Sequence, residues 1–411
     1  MDNLTHTLIG VLVGETAHTV APSGTGGLTA QQRRSLFLPL MVIGSNLPDL
    51  DFLYARITGN RLDYLLEHRG HTHTVVGALL AALLMLGACE IAMRLAKHTP
   101  VRKDRLWLAV IAALGPLLHV AMDWTNSYGV HPFWPFDNRW LYGDSVFIIE
   151  PMLWVAAAPL AFRLRTVAAR VLIGFVLFAG IVLSITTGLV PYPLAAVLTL
   201  LTVIMLAIAA RTSPRTALLA GVGLWISVSA MFIVASSVAT RRVDFLVTES
   251  LPQWQTLDRI LTPMPANPFC WSVVLVQSLD GRYALRRSML SLAPQSLPAL
   301  ACPMRAPGSR TTATLTGTGP ADTPAIAWQG ELTMDKAALR KLVRNNCVAA
   351  GLMKFARAPF IAHGEQRQTI GDLRFDNERG LSFAEFALDE SSRCPAYVPP
   401  WVEPRRDLLE E

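Results

Sequence analysis

The stretch Glu67–Ala96 reads EHRGHTHTVVGALLAALLMLGACEIAMRLA. Its second part, Val75–Ala96, is apolar apart from Glu90 and Arg94. It is long enough to cross the hydrocarbon layer of a bilayer as a helix, which takes ~20 residues. Its first part places His68, His71 and His73 at the mouth of that run, in a chain with 9 histidines in all. One stretch thus announces a membrane helix and a polar cluster at its border.

Outward from it, the same apolar character recurs in Leu106–Trp124, Val171–Val190, Pro193–Ala210 and Ala217–Ala239. Val146–Phe162 is a sixth span, shorter and interrupted by Pro151 and Pro159, which membrane helices tolerate when neighbours satisfy the freed carbonyls. Leu4–Ala17 and Leu36–Tyr54 are short or polar, and are expected as half-buried helices against the bundle. The whole chain is 52% hydrophobic and 16% charged, against about 25% charged in soluble domains. The apolar runs stop near Thr240. The fold class expected is an all-α polytopic membrane bundle of about six to eight helices over residues 1–240, followed by a soluble α+β domain over 241–411. Met1–Thr7 has neither a positive n-region nor a small-residue cleavage site downstream, so a cleavable signal peptide is not expected.

The net charge of +6 is not a nucleic-acid signal, because the basic residues sit in short loops and no basic patch with interleaved aromatics occurs. Lys97–Arg105, the loop after Phe162 (Arg163, Arg165, Arg170) and Arg211–Arg215 are rich in Lys and Arg. Thr125–Ser145 and Pro191–Pro193 are poor in them. The positive-inside rule then puts the basic loops in the cytoplasm and the C-terminal domain outside, although Arg241–Arg242 run against that rule. Cys89 lies within a span, and Cys270, Cys302, Cys347 and Cys394 lie in the soluble part. An extracytoplasmic setting permits two disulfides there, in any of three pairings.

In the C-terminal part Trp271–Ser278 and Arg282–Ser291 are strand-like runs joined at Asp280–Gly281, a hairpin signal. Asp335–Ala349 has a helical pattern. Thr369–Phe375 and Leu381–Leu388 suggest a second hairpin around Asn377–Gly380, and Pro294–Pro324 has loop composition. No catalytic motif appears in this part.

Chemistry concentrates in the N-terminal part. Ionisable groups at membrane depth are costly and call for a partner or a function. His119 and Asp123 are spaced i, i+4, which stacks both side chains on one helix face. Asp49 and Asp51 follow Pro48, and in an extended stretch they would point the same way. His68 and His73 add imidazoles, and His6 another. Imidazole with carboxylate suits a divalent metal, zinc first, with manganese or iron as alternatives. The topology puts His6, Asp49, Asp51, His68, His73, His119 and Asp123 at one depth, near the outer face. Arg69 is placed to neutralise an anionic substrate such as a phosphoester. Asp49 or Asp51 is the expected general base or bridging ligand, so Asp49, Asp51 and Arg69 form the expected catalytic set. Phe133, Trp134, Phe136, Trp140 and Tyr142 fit an interfacial aromatic belt.

Thr5-His6, Leu47-Pro48-Asp49-Leu50-Asp51, His68-Arg69-Gly70-His71-Thr72-His73-Thr74, Leu118-His119 through Asp123, and Gly129 to Pro135 together resemble the YdjM-like membrane-bound metal-dependent hydrolases. The resemblance covers about residues 1–160 and is specific in order and spacing. His71 falls on a variable position of the family's pattern and is set aside from the metal set. Thr74 stands where the family usually has Ser. The resemblance implies an inner-membrane, multi-pass hydrolase. A more distant similarity to zinc-dependent phospholipase C and related nucleases implies phosphoester hydrolysis of a lipid-like substrate.

Three rival readings fit the chain less well. A metal or proton transporter would need polar residues deep in the later spans, which are nearly free of charge. A membrane haem protein has no use for the Asp-x-Asp pair. A lipid phosphatase with a histidine nucleophile would need a Pro-Ser-Gly-His motif, whereas Pro22-Ser23-Gly24 is followed by Thr25. A non-catalytic membrane protein with a structural metal site is the plainest alternative.

Overall fold

The structure is a computed structural model and describes every residue except 22–26, 304–311, 318, 364–367, 377–380, 390–391 and 411. The Pro22–Thr25 motif and the turn expected around Asn377–Gly380 therefore lie outside the described residues.

The N-terminal region is helical. α1 (Asn3–Val20) begins on Asp2, whose carboxylate accepts from the Thr5 amide, and α2 (Ala30–Gly44) begins on a Thr29/Gln32 capping box. A 3₁₀ turn (Leu47–Asp51) leads into α3 (Phe52–Thr58) and α4 (Arg61–Glu67). A second 3₁₀ turn (His71–His73) precedes α5 (Val75–Leu95), capped by the Thr74 hydroxyl. Then come α6 (Arg102–Trp124), the short α7 (Pro151–Val155) and α8 (Leu160–Arg163), α9 (Val167–Thr186), α10 (Tyr192–Arg211) and α11 (Pro214–Ser250). α5, α6, α9, α10 and α11 are each long and apolar enough to cross a membrane. α2 with Leu47–Thr58 is a sixth candidate if that pair, bent by 50°, counts as one span. Leu80, Leu83 and Leu84 of α5 and Val171, Phe175 and Phe178 of α9 point outward, which suits hydrocarbon rather than water.

Two expectations need correction. Val146–Phe162 is not one span. Pro151 opens α7, and Pro159, which has no amide hydrogen, cannot continue it. The stretch packs instead as a buried plug, with Leu153, Ala156, Ala157, Ala158 and Leu160 inside a core shared with α1, α9, α10 and α11. Nor does the chain change character cleanly at Thr240. α11 runs on to Ser250, and Ala239, Val243 and Val247 on its extension pack under the sheet residues Trp271, Val273 and Leu275.

The C-terminal domain has a four-stranded antiparallel sheet in the order β1 (Gln255–Met264), β2 (Asn267–Leu279), β3 (Arg282–Ser291), β4 (Ile326–Asp335). The β2–β3 turn at Asp280–Gly281 is as expected, and both residues have positive φ, 45° and 77°, as a tight two-residue hairpin demands. β1 and β4 were not expected. α12 (Lys336–Asn345) and α13 (Cys347–Met353) follow where the helical pattern lay. The three-stranded sheet β5 (Pro359–His363), β6 (Gln368–Asp372), β7 (Glu385–Ala387) comes next, with β6–β7 as the second hairpin, and α14 (Arg406–Leu409) closes the chain. Disulfides join Cys270 to Cys302 and Cys347 to Cys394.

The two regions share a core. Leu62, Leu65 and Leu66 of α4, with Tyr128 and Trp140, pack against Val274, Leu285, Phe355 and Trp401. Arg357 joins the regions electrostatically, reaching Asp144 at 2.8 Å and Asp258 of β1 at 2.7 Å. Trp140 and Tyr142 are therefore not belt residues. The Trp140 indole donates to the Lys354 carbonyl at 2.7 Å, and the Arg357 guanidinium lies 4.1 Å from the Tyr142 ring. Phe133 and Phe136 stay exposed.

Candidate metal centre

Backbone packing sets the site. α2 and α6 cross where Gly44 meets Gly115: a Cβ on Gly115 would stand 3.0 Å from the Gly44 Cα. Small residues at such a crossing let two backbones approach closely. The Leu47–Asp51 turn at the end of α2 is thereby brought against the last turns of α6. Pro48 starts a 3₁₀ helix there, so Asp49 and Asp51 do not extend in parallel as the sequence suggested. Asp49 faces His73 and His119 (Oδ1 to Nε2, 3.3 and 3.4 Å), while Asp51 faces His68 Nδ1 (2.9 Å) and His73 Nδ1 (3.2 Å).

All seven predicted residues come together. Asp49, His73, His119 and Asp123 form a buried group whose ligand-type atoms lie within 4.8 Å of one another, and Asp49, Asp51 and His68 form a second group sharing Asp49. Asp123 Oδ2 lies 3.2 Å from His73 Nε2 and 3.4 Å from His119 Nε2. His6 sits beside the first group. Its ring stacks on His119 at 3.9 Å, and its Nε2 is 3.1 Å from Asp123 Oδ1. His71 stays out of the cluster, pairing with Glu67 at 3.4 Å and packing on Trp134.

Arg69 is wholly enclosed, with Nη2 3.1 Å from Asp123 and Nη1 donating to Asn126 Oδ1 at 2.8 Å. It holds φ at 62°, a left-handed conformation a non-glycine residue keeps only where its surroundings demand it. Here the Arg69 amide donates to Asp51 (3.0 Å) and the Arg69 carbonyl accepts from His131 Nδ1 (3.3 Å).

The donor set fits a cation. His119 Nδ1 donates to the Ser45 carbonyl at 2.8 Å, which leaves its Nε2 a bare lone pair. His73 Nδ1 faces the Asp51 carboxylate, an acceptor only, so its Nε2 is bare as well. These two nitrogens lie 3.0 Å apart, and Asp123 Oδ2 beside them has no hydrogen-bond donor among the described residues. Among the described residues, the Arg and amino-terminal cations paired with these three carboxylates are Arg69 and the Met1 amino group, both on Asp123. Lone pairs and surplus negative charge converging in a buried space call for a positive ion.

The site opens into a cleft of about 510 Å³ lined by Asp49, Tyr64, His68, Arg69, Tyr128 and, from the C-terminal domain, Phe375 and Phe383. Sequence reasoning missed Ser45, Asn126, Tyr128 and both phenylalanines. Ser45 acts through its carbonyl and so leaves no side-chain signature, and the phenylalanines lie more than 250 residues downstream of the clustered residues.

Residues 1–194 match the family model described as YdjM inner membrane protein. Over this stretch the chain is similar to the YdjM inner membrane protein family. No match was found among curated proteins or solved structures. The YdjM region contains all seven clustered residues and Arg69. It ends within α10, so the sheets that roof the cleft lie beyond it.

Proposed function

We propose that the chain is a membrane-embedded metal-dependent hydrolase that cleaves a phosphoester, or another ester, of an amphiphilic substrate at the outer face of the inner membrane. The observation that carries this reading is the convergence of two bare imidazole nitrogens and two carboxylates, Asp49 and Asp123, beside a cleft that Arg69 also lines. Asp49, His73, His119 and Asp123 would hold one divalent ion. His68, beside Asp49, would complete the site, with Asp51 holding the histidines in place. Zinc suits these ligands best, with manganese or iron as alternatives. Such an ion polarises an ester oxygen and lowers the pKa of water towards ~7.

The chain's own residues supply the rest. Asp51 aligns His68 and His73, and the Ser45 carbonyl aligns His119. Asp49 is the only one of the three carboxylates that lines the cleft, so it is the base that takes the proton from the attacking water. Arg69 offers its guanidinium to the anionic ester. Tyr64, Phe375 and Phe383 keep bulk water from the cleft.

The topology follows from the loops. The site sits at the start of α5 and the end of α6, opposite the basic loops Lys97–Arg105 and Arg211–Arg215, which belong in the cytoplasm. The C-terminal domain then lies outside, where its two disulfides are stable. The test is turnover of a chromogenic panel of phosphomonoesters, phosphodiesters and carboxylic esters by purified protein loaded with zinc or manganese. Turnover that disappears in Asp49→Asn even at saturating metal supports the hydrolase. Metal-loaded wild type that turns over none of the panel points to a structural metal site.

A further inference from the structure

A second cavity, of about 350 Å³, lies next to the cleft, between the YdjM region and the sheet. Val146 and Ile148 line it from one side, and Ile260, Met264, Val274 and Met289 from the other. Tyr128, Ile148 and Phe375 line both spaces and form the partition between them. We infer that this cavity holds the apolar chain of the substrate while the polar head lies at the His/Asp cluster; this rests on the hydrolase reading above.

Three observations lead there. The volume is in the range of small-molecule sites, ~300–1,000 Å³, and most of the lining is apolar, with Ser127, Thr262, Ser272 and Gln329 as uncharged polar exceptions, which favours hydrocarbon. Two charged groups do reach the cavity, but both are committed. Arg287 donates to the Leu373 and Asp376 carbonyls, and Arg374 is paired with Asp372 at 2.7 Å. Among the described residues, the cavity therefore offers no free cation to a second anionic group. At the end nearest the cleft, the Tyr128 hydroxyl and Asn126 Nδ2 are buried and without a hydrogen-bond partner among the described residues, their residues being 5% and 4% exposed. An unpaired buried donor is costly. Acceptor oxygens at the junction of head and chain would satisfy both. The C-terminal domain, which lies beyond the matched family segment, thereby acquires a role: it builds half of the chain site.

The experiment measures binding of ethyl, octyl and dodecyl phosphate to metal-loaded protein in nanodiscs. It compares wild type with Val274→Trp and Met289→Trp, which fill the cavity without touching the cluster. In wild type the affinity should climb with chain length, by up to ~4-fold per buried methylene, until the cavity is full. Either variant, with metal content and elution volume unchanged, should bind ethyl phosphate like wild type and lose the dependence on chain length. A folded variant that keeps the wild-type dependence overturns the inference. Should neither variant fold, a dodecyl phosphate carrying a terminal diazirine is crosslinked to wild type. Labels on β1–β3 support the inference, and labels confined to the outward faces of α5 and α9 overturn it. Binding that is equal for all chain lengths defeats the chain site alone. Failure to bind even ethyl phosphate defeats the phosphoester form of the hydrolase reading beneath it.

Discussion

His73 and His119 meet Nε2 to Nε2 at 3.0 Å, and each ring has its other nitrogen committed, to Asp51 and to the Ser45 carbonyl. Two lone pairs at that distance repel unless a proton or a metal ion lies with them. With Asp49 and Asp123 in the same group, a divalent ion satisfies all four residues at once. His119→Ala and Asp123→Ala should each lower bound metal at least tenfold on elemental analysis, whereas His71→Ala, outside the cluster, should retain it. Equal metal in wild type and the first two variants would remove the joint site.

Asp51 acts differently. It accepts from the Thr72 hydroxyl and the Arg69 amide at 3.0 Å each, and faces both His68 and His73. It is held by the first two and orients the two imidazoles, and losing such a partner typically weakens metal binding by ~10–100-fold. Asp51→Asn should therefore still load metal at high concentration, with affinity down by about that factor in a chelator competition. A complete loss, equal to that of Asp123→Ala, would make Asp51 a ligand rather than an aligning group.

Much of this was legible in the chain. Hydropathy located α5, α6, α9, α10 and most of α11, because a lipid-facing helix shows its apolar character all round. Paired spacing and a common depth gathered the seven clustered residues. What stayed hidden depends on contacts between distant segments. Pro48 turned an expected extended Asp-x-Asp pair into a 3₁₀ turn, and so split its two carboxylates between different histidines. Pro151 and Pro159 made a plug from a stretch as apolar as a span. β4 was obscured because its burial does not alternate cleanly and a register shift interrupts its pairing with β3. The cleft's roof, Phe375 and Phe383, carries no local sign of its role.

Arg357 should prove to be the main electrostatic tie between the two regions. It is buried and spans Asp144 and Asp258. Removing one partner from a buried ionic group costs ~3–5 kcal/mol, since the remaining charges stay desolvated. Arg357→Ala should lower thermal stability by about that amount, while Arg357→Lys, which keeps the charge but not the fork, should recover part of it. A denaturation series in a defined detergent reads both. No change in Arg357→Ala would mean that the shared hydrophobic core alone holds the sheets in place.

The last prediction concerns acid. His131 lies in the loop after α6, between the rings of Trp401 (3.8 Å, stacked) and Trp140 (3.9 Å). Burial there drives its pKa down to about 3; the bond from its Nδ1 to the Arg69 carbonyl works the other way, and the nearby His71 adds to the fall. The folded protein thus keeps this imidazole neutral, while the unfolded chain protonates it near ~6.5. Stability from this burial is fully present above ~6.5 and is lost as pH falls from there towards the folded value, by up to ~1.4 kcal/mol per pH unit. Trp401 is itself fully enclosed, its indole donating to the Leu66 carbonyl at 2.8 Å, so the C-terminal tail should loosen with the histidine. Wild type should therefore lose thermal stability steadily between pH 6.5 and 5. His131→Phe, which keeps a ring between the two tryptophans and cannot take a proton, should flatten that slope. If the variant shows the same slope as wild type, the acid sensitivity comes from another group.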